Sequence, residues 1–528
     1  MPIRSDISAA AAAPVRAGGT AWTSAAGLPV WAWAGLAAIV AARVAILALT
    51  HLDLYPDEAQ YWGWAQTPAF GYYSKPPLIA WMIGATTGLF GDAEWAVRLS
   101  APLCHGAAAA ALMLLGRDLY GPRAGVLAGA IWLTMMGVGL SSFIISTDAP
   151  LLALWSFMLL SLFRLVSRPS AGWAAALGAA VGLGFMAKYA MVYAVIAVAL
   201  AMVLDGRVRA ALWSRYGALA LGVAAALFAP NLIWNAANGM ETVAHTADNA
   251  DWIGPLFNPG ELLEFWVTQL GVFGPVVFPL LVVAMVRAAL GRAGRDAALL
   301  ALFAAIPLAV VSAQAFVAHS YANWAGAAYP SGAVLVAGLL AGPEPLSIRA
   351  PGRWPRRALI ALAILGNLAF TLPGTAALVS PRVIEAAGME NAFKQVRGWE
   401  ETADRVAAAA AEGGFDTAVF DDRFAYHAAD YYRRGQAPAV AMYQRYAEPY
   451  GHAEACCALP SGTAGPVLLV SAFADYDPWF AKDFAQITPL GEIVVELGGG
   501  VQRRLRLFSA EGYEKAERPP GDGPYVDY

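Results

Sequence analysis

Apolar residues dominate the chain in blocks of about 17 to 25, the length a helix needs to cross roughly 30 Å of hydrocarbon. Blocks at about residues 29–50, 98–116, 124–145, 149–166, 172–187, 189–204, 211–229, 263–286, 297–314, 323–341 and 358–378 predict eleven membrane-spanning helices, and none follows residue 380. An odd number of crossings places the two ends of the chain on opposite sides. Between the blocks, charge alternates. Arg4 and Arg16, Arg117 and Arg123, Arg164 and Arg168, Arg207, Arg209 and Arg215, Arg287, Arg292 and Arg295, and Arg349, Arg353, Arg356 and Arg357 fall in every second connection. The intervening connections hold only Lys75, Arg98 and Lys188 up to residue 380. Lys and Arg accumulate in short cytoplasmic loops, so the N-terminus and the arginine-rich connections are predicted inside and the others outside.

That alternation settles two ambiguous stretches. Counting Leu78–Phe90 as a span would turn the Arg117/Arg123 connection outward, so this short run, broken by Gly84 and Gly88, is predicted to be interfacial or re-entrant. Residues 172–204 must make two short spans with Lys188 at the outer turn, because both flanking connections are basic. Arg43 is the one cation inside a span and should face protein or a cavity. Residues 1–28 are expected to be a disordered cytoplasmic tail without the features of a signal peptide, and no internal repeat is evident.

After the last span the pattern changes to short β-like runs, 417–420, 467–470 and 493–497, alternating with helical stretches such as 399–411. These predict an α/β domain over 380–513 on the outer, periplasmic side, then a flexible tail over 514–528. The expected fold is thus an α-helical polytopic membrane protein, with a transmembrane domain over 29–379 and a small C-terminal α/β domain.

Composition supports this class: of 528 residues 59% are hydrophobic and only 14% charged, too apolar for an ordinary soluble surface. A net charge of -4 without outer basic patches argues against nucleic acid as a partner. No phosphate-cradling glycine loop, helical zinc-protease motif or Gly-x-Ser-x-Gly elbow is present. Cys104 reads as a core residue; the adjacent Cys456 and Cys457 lack metal-ligand spacing and leave a vicinal disulfide as the alternative.

Candidate chemistry concentrates in the first outer loop, 51–97. Pro56 suits the first turn of a helix carrying Asp57 and Glu58, followed by Tyr61, Trp62 and Trp64. A partly desolvated carboxylate there can accept a proton from a hydroxyl; the alternative is a pair of charges favoured by the helix dipole. Lys75, held by Pro76 and Pro77, can grip a lipid phosphate or simply snorkel. Arg98 is a second phosphate candidate, its alternative an ion pair with Glu94 or Asp92. Asp148 joins the catalytic candidates or caps a helix, and Lys188 joins the phosphate-binding cations or pairs with a carboxylate. Tyr55, Tyr61 and Tyr73, Asn235 and His245 of a long outer loop 230–262, and the outer-turn residues His319 and Asn323 offer the amides, rings and polar groups that hold sugars. A divalent metal on His245, His319 and a carboxylate is conceivable, although no compact ligand spacing supports it and no other cofactor is implied.

In the set Pro56-Asp57-Glu58, Lys75-Pro76, Arg98 and Asp148, the chain resembles a GT-C glycosyltransferase of the protein O-mannosyltransferase and aminoarabinose-transferase superfamily, over most of 29–378. The resemblance implies transfer of a sugar, with inversion, from a polyprenyl-phosphate carrier to a lipid, glycan or protein acceptor at the outer face of a bacterial inner membrane. It further implies that Asp57 is the catalytic acidic position with Glu58 beside it, that Lys75 and Arg98 hold the carrier phosphate, and that Asp148 supports the site. Ser74 stands where aminoarabinose transferases carry a glutamate, so that sugar specificity is not carried over. From other classes, a lipid-linked-sugar flippase would need repeats or midplane charges, and an envelope scaffold would leave Asp57, Lys75 and Asp148 replaceable.

Overall fold

The computed structural model describes residues 27–243, 256–347, 353–473 and 478–519. Residues 1–26 of the expected tail, and His245, lie outside the described residues.

Each predicted apolar run is helical, but not every run is one straight helix. In chain order the membrane part opens with α1 (Val30–Leu49), α2 (Pro56–Gln66), α3 (Leu78–Phe90), α4 (Glu94–Arg98), α5 (Ser100–Tyr120), α6 (Pro122–Thr134), α7 (Met136–Ser141) and α8 (Asp148–Ser167). It continues with α9 (Ala171–Ala187), α10 (Val192–Leu204), α11 (Gly206–Leu212) and α12 (Arg215–Ala237). After the undescribed segment come α13 (Pro259–Val272), α14 (Val277–Ala289), α15 (Arg295–Val317), α16 (Tyr329–Ala341) and α17 (Arg353–Val379). Among the described residues seven helices are long and apolar enough to cross a membrane, or nine if each of two sharply bent pairs counts as one span.

The run expected as a single span over 263–286 is one of those pairs: α13 and α14 meet at 111°. Gly274, at φ 122°, and Pro275 break it, since the one supplies a conformation closed to other residues and the other lacks an amide donor. The run 124–145 breaks at Met135, whose backbone turns extended at ψ 138°. Two carbonyls at the end of α6 find side-chain donors there: Arg43 Nη2 lies 2.6 Å from the Leu133 carbonyl and Thr371 Oγ1 lies 2.8 Å from that of Thr134. The cation expected inside a span is therefore buried against protein at a helix break.

Close helix packing relies on small residues. A Cβ at Gly178 of α9 would sit 2.2 Å from the Ala220 carbonyl oxygen on α12, and one at Gly182 would sit 2.8 Å from that of Ala224.

Beyond α17, helix α18 (Trp399–Gly413) and helix α19 (Arg423–Tyr432) accompany a five-stranded sheet ordered β2-β1-β3-β5-β4. The strands are β1 (Thr417–Phe420), β2 (Ala439–Met442), β3 (Val467–Ser471), β4 (Phe484–Gly498) and β5 (Val501–Tyr513). β1 is parallel to β2 and β3, and β5 runs antiparallel between β3 and β4. Cys456 and Cys457 are joined as a disulfide. The segment expected to be loose after Glu514 is pinned as far as Arg518: Arg518 and Asp483 form a fully buried ion pair at 2.6 Å, and the Glu514 amide donates to the Asp483 carbonyl at 2.7 Å.

The α/β part is docked on the membrane part. Tyr431 of α19 meets Trp62 of α2 edge-on at 5.1 Å, the Tyr432 hydroxyl accepts from the Leu54 amide at 2.8 Å, and Tyr73 donates to the Pro449 carbonyl at 2.8 Å.

Candidate active site at one end of the helices

α2 begins where proline fixes the backbone, with Pro56 in its first turn and Tyr55 preceding it. The two acidic residues then part company. Glu58 turns back into protein, where its carboxylate accepts from the Tyr55 amide at 2.8 Å and the Ile145 amide at 2.7 Å. It also receives Arg98 Nη2 at 2.7 Å and Nε at 3.0 Å, and neither residue reaches solvent. The remaining Arg98 donors go to the Leu52 carbonyl at 2.9 Å and the Asp53 carbonyl at 2.6 Å. Enclosed and saturated, Glu58 and Arg98 are not presented to a substrate. The arginine that the sequence offered to a lipid phosphate is held in a structural pair, with Glu58 as partner rather than Glu94 or Asp92.

Asp57, one residue earlier, points the other way and keeps 37% of its side-chain exposure. The charged group nearest it is Arg423 Nη1 at the start of α19, 3.6 Å from Oδ1.

Lys75 is set by a braced loop between α2 and α3. Tyr72 stacks flat on Trp64 at 4.8 Å, its hydroxyl donates to the Trp64 carbonyl at 2.9 Å, and its amide donates to the Lys75 carbonyl at 3.1 Å. Asn231 donates to the Phe70 carbonyl at 2.7 Å, and an added Cβ at Gly71 would meet the Trp234 ring at 2.3 Å. With Pro76 and Pro77 following, the lysine backbone has little freedom. Among the described residues no acceptor lies within hydrogen-bond or ion-pair distance of its ammonium. Burial, with Lys188 nearby, holds its pKa below the usual 10.5, and the Asp57 and Asp148 carboxylates partly oppose that shift.

Asp148, in the first turn of α8, completes the cluster. Its Oδ1 accepts from Lys188 Nζ at 2.7 Å and its Oδ2 from Asn323 Nδ2 at 3.2 Å. Lys188 stands at the extended break after α9, and Asn323 in a 3-10 turn preceding α16. Three connections, far apart in sequence, thus meet at one end of the helices. Tyr55 and Tyr61 border the same cluster, both in the field of Asp57 and Arg423.

Other expected sugar ligands are placed elsewhere. Asn235 is not on a loop, because α12 continues through Pro230 to Ala237; it is buried and donates to the Tyr189 hydroxyl at 3.0 Å. It works with Asn231 as a brace behind the Lys75 loop. The Tyr73 hydroxyl is turned to the α/β domain. His319 pairs with Glu261 at 3.1 Å and packs edge-on against Tyr321 at 4.8 Å. Among the described residues no three His, Cys, Asp or Glu side chains gather closely enough for a metal ion.

Sequence reasoning missed Arg423. One signal was available, an Asp421-Asp422-Arg423 triplet directly after a predicted strand, since ligand-facing residues collect at the carboxyl ends of parallel strands.

Comparison with known proteins identifies the family and the fold. Residues 74–234 match the dolichyl-phosphate-mannose-protein mannosyltransferase family. The lipid A galacturonosyltransferase RgtD of Rhizobium johnstonii is 35% identical over 437 residues, spanning 81% of this chain and 88% of that protein. Among solved structures, ArnT from Cupriavidus metallidurans superposes with TM-score 0.61 at 18% identity over 91% of this chain and 98% of ArnT. The same enzyme bound to undecaprenyl phosphate gives TM-score 0.61 over 90% of this chain and 98% of ArnT, again at 18% identity. With the fold of ArnT and a relative of this identity over this length, the chain belongs to the GT-C glycosyltransferases, in the family that includes the lipid A galacturonosyltransferase.

Proposed function

We propose that the protein transfers a sugar of the uronic-acid class from a polyprenyl-phosphate carrier to lipid A or a related envelope glycolipid, on the periplasmic face of the inner membrane, with inversion at the anomeric carbon. The observation that carries this reading is the separation of Asp57 from Glu58. One of two adjacent carboxylates stays partly exposed near Lys75, which has no partner among the described residues, while the other is consumed by the fold. The donor class is supported by the match to the polyprenyl-dependent mannosyltransferase family and by the undecaprenyl phosphate bound to ArnT. Acceptor and sugar class are supported by the name of the 35% identical relative.

In this reading an acceptor hydroxyl attacks the anomeric carbon from the Asp57 side and gives its proton to the Asp57 carboxylate. The bond from that carbon to the phosphate oxygen breaks as the new glycosidic bond forms, and its electrons stay on the departing polyprenyl phosphate. Lys75 meets the charge that develops there. Lys188, fixed by Asp148, adds positive potential without moving, and Asn323 holds the other oxygen of Asp148 in place. Glu58 and Arg98 act as the rigid floor that aims Asp57.

The test is transfer in detergent from labelled undecaprenyl-phosphate sugars to purified lipid A. Asp57→Asn is expected to lower kcat by roughly 10²- to 10⁴-fold, the range for a lost general base. Lys75→Ala is expected to weaken donor binding first. Undiminished turnover in Asp57→Asn would remove the base from the mechanism.

A further inference from the structure

Two cations in the cluster have donors that no described residue takes up, and they come from different parts of the molecule. Lys75 belongs to the membrane part. Arg423 is delivered by the outer domain, where the Asp422 carboxylate caps α19 by accepting from the Ala425 amide at 2.9 Å and so fixes the first helical residue. The seating of α19 on α2 through Tyr431 and Trp62 leaves the guanidinium facing Asp57.

Its contacts there are long. Nη1 is 3.6 Å from Asp57 Oδ1 and 3.5 Å from Gln60 Oε1, and among the described residues Nε and Nη2 donate to nothing. A guanidinium forms parallel bonds to a planar carboxylate, so an arginine held open in this way is suited to a bidentate anion. In the transferase reading above, the carrier phosphate is kept at the membrane by its lipid and taken by Lys75, with its sugar on the side of the α/β domain. The anion that meets Arg423 therefore belongs to the sugar.

Resting on the transferase reading above, we propose that Arg423 forms a subsite for the carboxylate of the transferred uronic acid and sets the preference for that sugar over its neutral counterpart. The outer domain then takes part in donor selection. Because the subsite neighbours Asp57, the same carboxylate keeps the guanidinium from drawing the catalytic base into an ion pair.

Two measurements on the full-length protein test this. The first is the ratio of kcat/KM for undecaprenyl-phosphate galacturonate to that for undecaprenyl-phosphate galactose, donors differing in the C6 group, each with lipid A bearing or lacking its phosphates. Arg423→Gln is expected to lower the ratio roughly ten- to a hundred-fold, as for loss of a charge-assisted hydrogen bond, and Arg423→Lys to recover part of it. An equal fall for both donors would reduce Arg423 to a clamp between domains and overturn the subsite. So would a loss that follows the acceptor phosphate rather than the donor carboxylate.

The second measurement is thermal stabilisation of the detergent-solubilised protein by galacturonate 1-phosphate against galactose 1-phosphate. Preferential stabilisation that Arg423→Gln abolishes supports the subsite even if no transfer is seen, in which case only the transferase reading falls. Equal stabilisation by the two sugars, in wild type and variant alike, overturns the subsite whatever the turnover.

Discussion

Glu58 and Arg98, forty residues apart, hold each other by three hydrogen bonds, Nη2 to Oε2 at 2.7 Å and Nε to Oε1 at 3.0 Å and to Oε2 at 3.1 Å, with both side chains sealed from water. The pair ties the start of α2 to α4 and, through the Ile145 amide, to the chain entering α8. Removing one partner strands a buried charge, which typically costs about 3–5 kcal/mol. Glu58→Ala and Arg98→Ala are each expected to lower thermal stability in detergent by that order, with activity lost in proportion to folded protein. A variant that kept its stability but lost donor affinity would return Arg98 to the phosphate site.

Lys75 gives the pH dependence. Its pKa is lowered by burial and by Lys188, so the ammonium needed for the phosphate is lost at a lower pH than for a free lysine. The pH profile of kcat/KM for donor should fall on the alkaline side as pH rises through that lowered pKa. Arginine does not deprotonate in this range, so Lys75→Arg should carry the fall to higher pH, with a weaker fit. An alkaline limb that stays put in this variant would assign it to another group.

In the α/β domain, burial raises the pKa of Asp421 from 3.8 to about 7, against hydrogen bonds from Ser471 Oγ at 2.6 Å and the Ala472 amide at 3.0 Å. Between about pH 4 and 7 the folded state thus holds a proton that the unfolded chain has released, and stability decreases as pH rises through this window. Asp421→Asn has no proton to lose and is expected to flatten the dependence of thermal midpoint on pH in that interval. A slope unchanged from wild type would exclude Asp421 as its source.

Two glycines on α9 separate packing from propensity. Gly178→Ala forces a methyl against the Ala220 backbone, and overpacking of this kind typically costs about 1–3 kcal/mol. At Gly172 nothing lies within 4 Å of the added carbon, so Gly172→Ala is expected to be neutral or slightly stabilising. Thermal unfolding of the two variants side by side checks this; equal effects would mean that α12 is not seated where Gly178 places it.

Hydrophobicity is additive and local, which is why the sequence alone locates the apolar runs and places Lys188 at the turn after α9. Strands β1 and β3 and the 493–497 segment of β4 were legible for the same reason. β2 escaped because Ala439-Val-Ala-Met442 is short and weakly β-forming, and β5 because Arg503, Arg504 and Arg506 mask its apolar alternation. The nomination of Asp57, Lys75 and Asp148 rested on charged groups in a chain with few outside its arginine-rich loops. What each charge does was decided by the tertiary structure. A carboxylate is a base or a buried strut according to which donors surround it, and those donors come from distant segments: Arg98 and the Ile145 amide for Glu58, Arg423 for Asp57, Lys188 and Asn323 for Asp148. Arg423 and Gln60 meet across 363 residues of chain. Local pattern carries no term for such a pairing, because it is set by the packing of helices and domains and not by the residues on either side.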